Sequence, residues 1–129
     1  PCRSIHGHSY VLDICLVGKP RSEHGHPSDG MIIDFSEFGK IVKESIVDEW
    51  DHALLLKADF PLLGTDKNAG FEKVIRFPFQ PTCENLVTEI SNKLREVLPA
   101  HLRLHNVRLR ETATAWSEWY ASDNGKDND

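Results

Sequence analysis

The chain has 129 residues, of which 40% are hydrophobic and 27% are charged, and its formal net charge is −5. This length fits one domain with a single core, and an acidic chain without a long basic run favours neither nucleic acid nor a membrane surface as a partner. Three widely spaced cysteines, with no secretory signal or membrane-length apolar run in the sequence, predict a cytoplasmic location.

The first ten residues, PCRSIHGHSY, place Cys2, His6 and His8 close together. If the backbone here is extended, the two histidines point to the same face and two imidazoles can bind one metal ion. The alternative is a mobile, polar N-terminus. The following stretch SYVLDICLVG has apolar residues at both odd-numbered and even-numbered positions, which predicts a strand covered on both faces.

A loop and a helix are predicted next. The segment KPRSEHGHPSDG is rich in proline, glycine and serine and is typical of a long loop. Asp34, with Glu37 three residues later, predicts a helix start. The apolar face of this helix would consist of Phe38, Ile41, Val42, Ile46 and Trp50. Residues 54–80 show no sustained period and are interpreted as a long connection.

The C-terminal half contains a second helix and two strands. Thr82 is a candidate N-cap. The apolar side of the helix would be formed by Leu86, Val87, Ile90, Leu94, Val97 and Leu98, and Pro99 would end it. Strands are predicted from Leu102 to Leu109, with a slip near His105 and Asn106, and from Ala115 to Ala121. We expect the polar residues 122–129 to be disordered.

This order of elements predicts an α+β domain over residues 1–121, with an antiparallel sheet and two helices packed on one of its faces. A sheet of three or four short strands with an exposed edge is marginal alone. We therefore expect a further strand or another subunit to cover that edge.

Two positions carry side chains suited to chemistry. Asp51 and His52 are either a solvated pair at a helix end or an acid/base couple, because a carboxylate orients a neighbouring imidazole. Glu111 lies where strand alternation would bury it. It is either a surface carboxylate or the anchor for a ligand with two parallel N–H donors, such as a guanidine-like heterocycle.

Other histidines and cysteines favour simpler interpretations. The second His-Gly-His stretch, at His24 and His26, lies in the predicted loop, where the backbone is not held extended. His101 and His105 favour surface positions. Cys15 and Cys83 are expected to pack as small hydrophobic residues.

Several stretches together resemble the superfamily of 6-pyruvoyltetrahydropterin synthases and 6-carboxytetrahydropterin synthases. They are CRSIHGHSY at 2–10, DGMIIDFSEF at 29–38, WDHALL at 50–55, PTCENL at 81–86 and RETATAW at 110–116. The spacing from cysteine to His-Gly-His is similar to that of the bacterial 6-carboxy enzymes of queuosine biosynthesis.

This resemblance implies a tunnelling fold, in which subunits assemble into an oligomeric barrel, as a trimer or a hexamer of two stacked rings, with active sites between subunits. It implies a zinc-dependent lyase that converts 7,8-dihydroneopterin triphosphate to 6-carboxytetrahydropterin, releasing triphosphate and acetaldehyde. One alternative is a 6-pyruvoyltetrahydropterin synthase, which releases triphosphate only. The other is a non-catalytic oligomer that binds a pterin or purine.

The resemblance also implies roles by position. His6 and His8 match two of three zinc ligands, Cys2 matches the catalytic cysteine, and Asp51 and His52 match its acid/base partners.

On the substrate side, Glu111 matches the carboxylate that binds the pterin ring, while Thr82 and Glu84 match a Pro-Thr-x-Glu stretch in which Thr82 either caps a helix or contacts ligand.

The sequence departs from the family pattern in three respects, one of which is the run Leu54-Leu55-Leu56, where the family often has an asparagine after the Asp-His pair. The third zinc histidine of the family lies on a strand upstream of the cysteine. Either that strand precedes Pro1, or the protein lacks it and His24 or His26 takes the place of this ligand. The connection up to Gln80 is long for a 6-carboxy enzyme. Its cations either contact the triphosphate or are ordinary solvated charges; they are Lys57, Lys67, Lys73 and Arg76.

Overall fold

The computed structural model describes residues 9–60 and 73–124. The strands are β1 (Val11–Val17), β2 (Ala53–Lys57), β3 (Lys73–Phe77), β4 (Arg103–Thr112) and β5 (Ala115–Tyr120). The helices are α1 (Phe35–Val42), which continues through a π-helical turn (Lys43–Val47) into α2 (Asp48–Trp50), and α3 (Cys83–Val97).

Strands β1, β4 and β5 form an antiparallel sheet with β4 in the centre. Helix α3 packs on β4 and β5, and the π-helical turn packs on α3, so both predicted helices lie on one face of this sheet. The predicted α+β class is therefore confirmed. The core between the layers includes Ile46, Leu86, Ile90, Leu94, Leu104, Val107, Leu109 and Trp119.

Both predicted helix starts are confirmed by side-chain caps. The Asp34 carboxylate accepts hydrogen bonds from the Ser36 amide at 2.8 Å and from the Ser36 hydroxyl at 2.7 Å, and these bonds lower the pKa of Asp34. At α3, the Thr82 hydroxyl accepts from the Asn85 amide at 3.2 Å. Each cap satisfies an amide that the first helical turn leaves without a partner.

The slip predicted near His105 is confirmed as a β-bulge. Cys15 pairs with Asn106, but the next residue, Leu16, pairs with Leu104, so His105 is an extra residue on β4. Because of this insertion, Leu104 and Val107 both face the core although they are three residues apart.

The interpretation of residues 54–80 as an unbroken connection is wrong. Strands β2 and β3 lie within it and pair in parallel, in register from Ala53 with Lys73 to Lys57 with Phe77. Each strand has only five residues, which is too short for a sustained period, and the Leu54–Leu56 run has no alternation.

The sequence predicts that β1 is covered on both of its faces. Among the described residues, nothing covers its outer face, which is exposed. Leu12, Ile14 and Leu16 contact the core, while the intervening residues Val11, Asp13, Cys15 and Val17 are exposed. On this outer face the Asp13 carboxylate lies 3.5 Å from the Arg110 guanidinium and 3.8 Å from that of Arg108.

The end of the domain differs from the expected disordered tail. Residues Ala121–Asn124 form a 3-10 turn, in which the Asn124 amide donates to the Tyr120 carbonyl at 2.7 Å, so the expectation is wrong for residues 122–124. Residues 125–129 lie outside the described part. None of the helices within residues 9–60 and 73–124 has both the length and the apolar character needed to cross a membrane.

Arg76 holds the chain after β2, since one of its guanidinium nitrogens donates to the carbonyls of Lys57, Ala58 and Phe60 at 3.4, 3.2 and 2.7 Å. We predict that Arg76→Met lowers the free energy of unfolding by about 1 kcal/mol, because these carbonyls lose a charged donor. Urea denaturation measures this change. Arg103→Met, at an exposed position on β4, is the matched control, and equal losses in both variants would contradict the prediction.

Candidate active site

A cleft of about 370 Å³ opens where the N-terminus of α3 lies over the end of β4 and the start of β5. Its lining includes Cys83, Glu84, Glu111, Thr114, Trp116 and Ser117. Two of the predicted substrate-binding residues, Glu84 and Glu111, therefore line one cleft.

Glu111 lies at a second β-bulge of β4. Arg110 pairs with Trp116 of β5 but Thr112 pairs with Ala115, so Glu111 is the extra residue between two paired positions. A bulge interrupts the ladder and redirects a side chain. The half-buried Glu111 carboxylate can therefore face the cleft at the point where the strand ends.

Tyr10 lies beside this carboxylate. The pairing of β1 with β4 ends at Val11 with Arg110, and Tyr10 and Glu111 are the next residues of the two chains beyond that pair. Burial raises the pKa of the Tyr10 phenol above its ordinary value, and the negative charges of Glu111 and Cys83 raise it further. The phenol is therefore protonated at neutral pH and lies on the side of the sheet that faces α3.

The first turn of α3 contributes the remaining polar groups. Glu84 occupies this turn, where a carboxylate is favoured by the positive end of the helix dipole. The neighbouring Cys83 thiol donates to the Leu109 carbonyl at 3.3 Å and packs against the core, as expected of a small hydrophobic residue. This bond ties the helix start to the strand that carries Glu111.

The cleft is suited to a neutral ring with N–H donors. Glu84 and Glu111 supply carboxylate oxygens that accept hydrogen bonds, and charge-assisted bonds of this kind are about twice as strong as neutral ones. The exposed Trp116 ring and the Thr114 and Ser117 side chains complete the lining with an aromatic surface and hydroxyls.

Asp51 and His52 form a second group between α2 and β2. The Asp51 carboxylate lies 3.0 Å from Nδ1 of His52, and the two side chains are 60% and 90% exposed. His52 has a φ of 59°, in the left-handed region. Among the described residues, no hydrogen bond or ion pair joins this pair to Glu84 or Glu111.

Thr82 acts as the cap of α3 and lies next to the cleft rather than in its lining. Of the two interpretations left open by the sequence, the structure therefore supports helix capping.

The predicted metal ligands His6 and His8 and the predicted catalytic Cys2 lie outside the described residues. Within residues 9–60 and 73–124, no group of three or more histidine, cysteine or acidic side chains could hold a metal ion. In the second His-Gly-His stretch, Nδ1 of His26 accepts from the Ser28 amide at 3.0 Å. The expectation that Cys15 is packed is wrong, since it is exposed on the outer face of β1.

Two cations considered for the triphosphate bind backbone carbonyls instead. Lys73 donates to the carbonyls of Asp48 and Asp51, and Arg76 holds the chain after β2. Lys57 lies 3.7 Å from the Asp59 carboxylate. Lys67 lies outside the described residues.

Sequence reasoning missed Tyr10 as a neighbour of Glu111, and it considered Lys73 only as a possible contact of the triphosphate, not as a partner of Asp51. For Tyr10 a signal existed, because it shares the parity of the core-facing Leu12 and Ile14. Lys73 offered no such signal, since its contact with Asp51 spans 22 residues of sequence.

Comparison with known proteins identifies relatives over nearly the whole chain. Residues 1–122 match the family model of 6-pyruvoyl tetrahydropterin synthase. A 6-carboxy-5,6,7,8-tetrahydropterin synthase from Haemophilus influenzae is 30% identical, covering 92% of this chain and 83% of the relative. The enzyme of the same name from Rickettsia felis is 28% identical, covering 91% and 83%.

Solved structures have the same fold. The 6-pyruvoyl tetrahydropterin synthase of Plasmodium vivax has a TM-score of 0.67 at 19% identity, covering 91% of this chain and 81% of that one. The corresponding Plasmodium falciparum protein has a TM-score of 0.64 at 24% identity, covering 92% and 83%. Because these identities are below 25%, the structural comparison establishes the fold alone, which is the tunnelling fold.

The electrostatic interaction between Tyr10 and Glu111 gives a titration test. Glu111→Gln should lower the pKa of Tyr10, because a neutral amide no longer opposes formation of the phenolate, while burial still keeps that pKa above its ordinary value. The chain has two tyrosines, so ultraviolet titration in a Tyr120→Phe background reports Tyr10 alone. Glu118→Gln is the control, and an unchanged titration in the Glu111 variant would refute the placement.

Proposed function

The chain belongs to the 6-pyruvoyl tetrahydropterin synthase family, and from this premise we propose that it is a zinc-dependent lyase acting on 7,8-dihydroneopterin triphosphate. The reaction consumes the substrate and one water and yields 6-carboxytetrahydropterin, triphosphate and acetaldehyde. The names of the curated relatives support the 6-carboxy product over the 6-pyruvoyl product.

The cleft with two carboxylates is the observation that carries the proposal. A pterin ring presents an amino group and a ring N–H side by side, in the arrangement of a guanidine. The Glu111 carboxylate, redirected by its bulge, would accept both hydrogen bonds, and Glu84 would accept from a second edge. Fixing the ring in this way orients the side chain that reacts.

Proton transfer would be carried out by Cys2 together with Asp51 and His52. The Asp51 carboxylate contacts His52 at Nδ1, which would leave Nε2 of the imidazole to exchange a proton. The family assigns a proton-transferring thiol to the position of Cys2. Assembly into a trimer or a hexamer, with active sites between subunits, would bring these groups together and cover the exposed pair.

Zinc would be held by His6 and His8 with a third ligand from elsewhere, since imidazole nitrogens are preferred ligands of this ion. When bound, it would hold the substrate's side-chain oxygens and increase the acidity of the adjacent carbon.

The role of Glu111 predicts a defect in binding rather than in folding. Glu111→Gln should raise KM about tenfold to a hundredfold, because charge-assisted hydrogen bonds to the ring are lost, with little change in the free energy of unfolding. Steady-state kinetics and urea denaturation measure the two quantities. Glu96→Gln, at the far end of α3, is the control. Normal KM with a collapse in stability would make Glu111 a structural residue.

Product analysis tests the reaction and the role of Cys2. The zinc-loaded protein should release acetaldehyde and triphosphate in equal amounts, and Cys2→Ala should abolish this turnover while oligomer size and pterin binding persist. Triphosphate without acetaldehyde, with a diketo product, would instead indicate the 6-pyruvoyl reaction. Retention of the pterin without release of triphosphate would indicate a binding protein, and an unchanged rate in Cys2→Ala would remove that residue from the mechanism.

A further inference from the structure

We propose that Lys73 is a positioning residue for the Asp51–His52 pair. This inference rests on the proposed function, in which the pair transfers protons. Lys73 begins β3, while the pair lies in the turn between α2 and β2. Its ammonium group contacts the backbone of this turn, so it would act through the pair rather than on the substrate.

The ammonium group binds the end of the helix. Nζ of Lys73 donates to the Asp48 carbonyl at 2.8 Å and to the Asp51 carbonyl at 3.1 Å. Carbonyls in the last turn of a helix lack intrahelical partners, and a cation there is favoured by the negative end of the helix dipole. A single lysine therefore joins two carbonyls that lie on either side of the helix end.

One of these carbonyls controls the orientation of His52. The Asp51 carbonyl belongs to the peptide group that joins Asp51 to His52, so holding its oxygen fixes the plane of that peptide. The turn needs such support. Asp51 leaves the helix with extended torsions (φ −64°, ψ 130°), whereas His52 is left-handed, which costs roughly 1 kcal/mol for a residue with a side chain.

The strand pairing of Lys73 reinforces this contact. In the parallel pairing of β2 and β3, Lys73 is the partner of Ala53, the residue that follows His52. The backbone of Lys73 thus holds the chain after His52, and its side chain holds the chain before it. With both flanks anchored, the His52 ring remains within 3.0 Å of the Asp51 carboxylate although it is 90% exposed.

Lys43 provides a matched comparison. It is also an exposed lysine at this helix, and its Nζ contacts the side chain of Asp48 at 2.9 Å rather than a carbonyl. Lys43→Met therefore removes a lysine from the same region but leaves the Asp51–His52 peptide held. Any effect specific to Lys73→Met must come from the carbonyl contacts.

The experiment measures kinetics and histidine NMR on the assembled protein. Lys73→Met should lower kcat about tenfold or more with KM within about twofold, since a misplaced proton-transfer group slows chemistry while the pterin cleft is unchanged. Lys73→Arg, which keeps charged donors, should recover most of kcat, and Lys43→Met should match the wild type. The His52 ring nitrogens, assigned by the signal missing in His52→Gln, should lose in Lys73→Met only the Nδ1 signature of an imidazole 3.0 Å from a carboxylate.

The NMR measurement also separates this inference from the proposed function. If no variant, including the wild type, converts the pterin triphosphate, the proposed function fails, but the His52 signature in Lys73→Met still decides the positioning role. A wild-type signature in that variant, or equal loss of kcat in Lys73→Met and Lys43→Met, would overturn the inference. Should Lys73→Met not fold, Lys73→Gln gives the same comparison.

Discussion

The packing of α3 against β4 is the constraint on which the candidate site depends. Leu94 of the helix and Val107 of the strand are both fully buried in one core, so the helix cannot slide or rotate along the sheet without opening a cavity. This fixed position places the first turn of α3 over the end of β4. Glu84 and Glu111 consequently line one cleft although they are far apart in sequence, and the Cys83 thiol bond to the Leu109 carbonyl ties the junction.

Features encoded locally were predictable from the sequence. The caps at Asp34 and Thr82, the apolar face of α3 and the slip at His105 each produce a pattern within a few residues, and the structure confirms them. The exception is Val97, predicted on the apolar face of α3, which lies in the last turn and is exposed. Features that depend on distant partners were not predictable. The short run of β2 becomes a strand only by pairing with β3, and the bulge at Glu111 is defined only by the register with β5.

The candidate site shows the same division. Glu111 was recognisable because it is a charged residue in a strand where alternating positions are buried. Tyr10 was not, because it continues the apolar positions of its own strand. Lys73 donates to the backbone carbonyls of Asp48 and Asp51. Because every residue has a backbone carbonyl, this contact cannot be inferred from residue types. The predicted positions of Cys2, His6 and His8 fall outside the described residues and stay predictions.

The distribution of charge then limits how the proposed substrate would lie. A cleft with two carboxylates, in a chain of net charge −5, attracts a ring that donates hydrogen bonds and repels a triphosphate. Lys73 and Arg76 donate to backbone carbonyls. The proposed ring would therefore enter the cleft while the triphosphate points away from its two carboxylates. In this orientation the substrate's side chain, which joins the ring to the triphosphate and contains the bonds that react, would extend beyond Glu111 to meet the proposed proton-transfer groups.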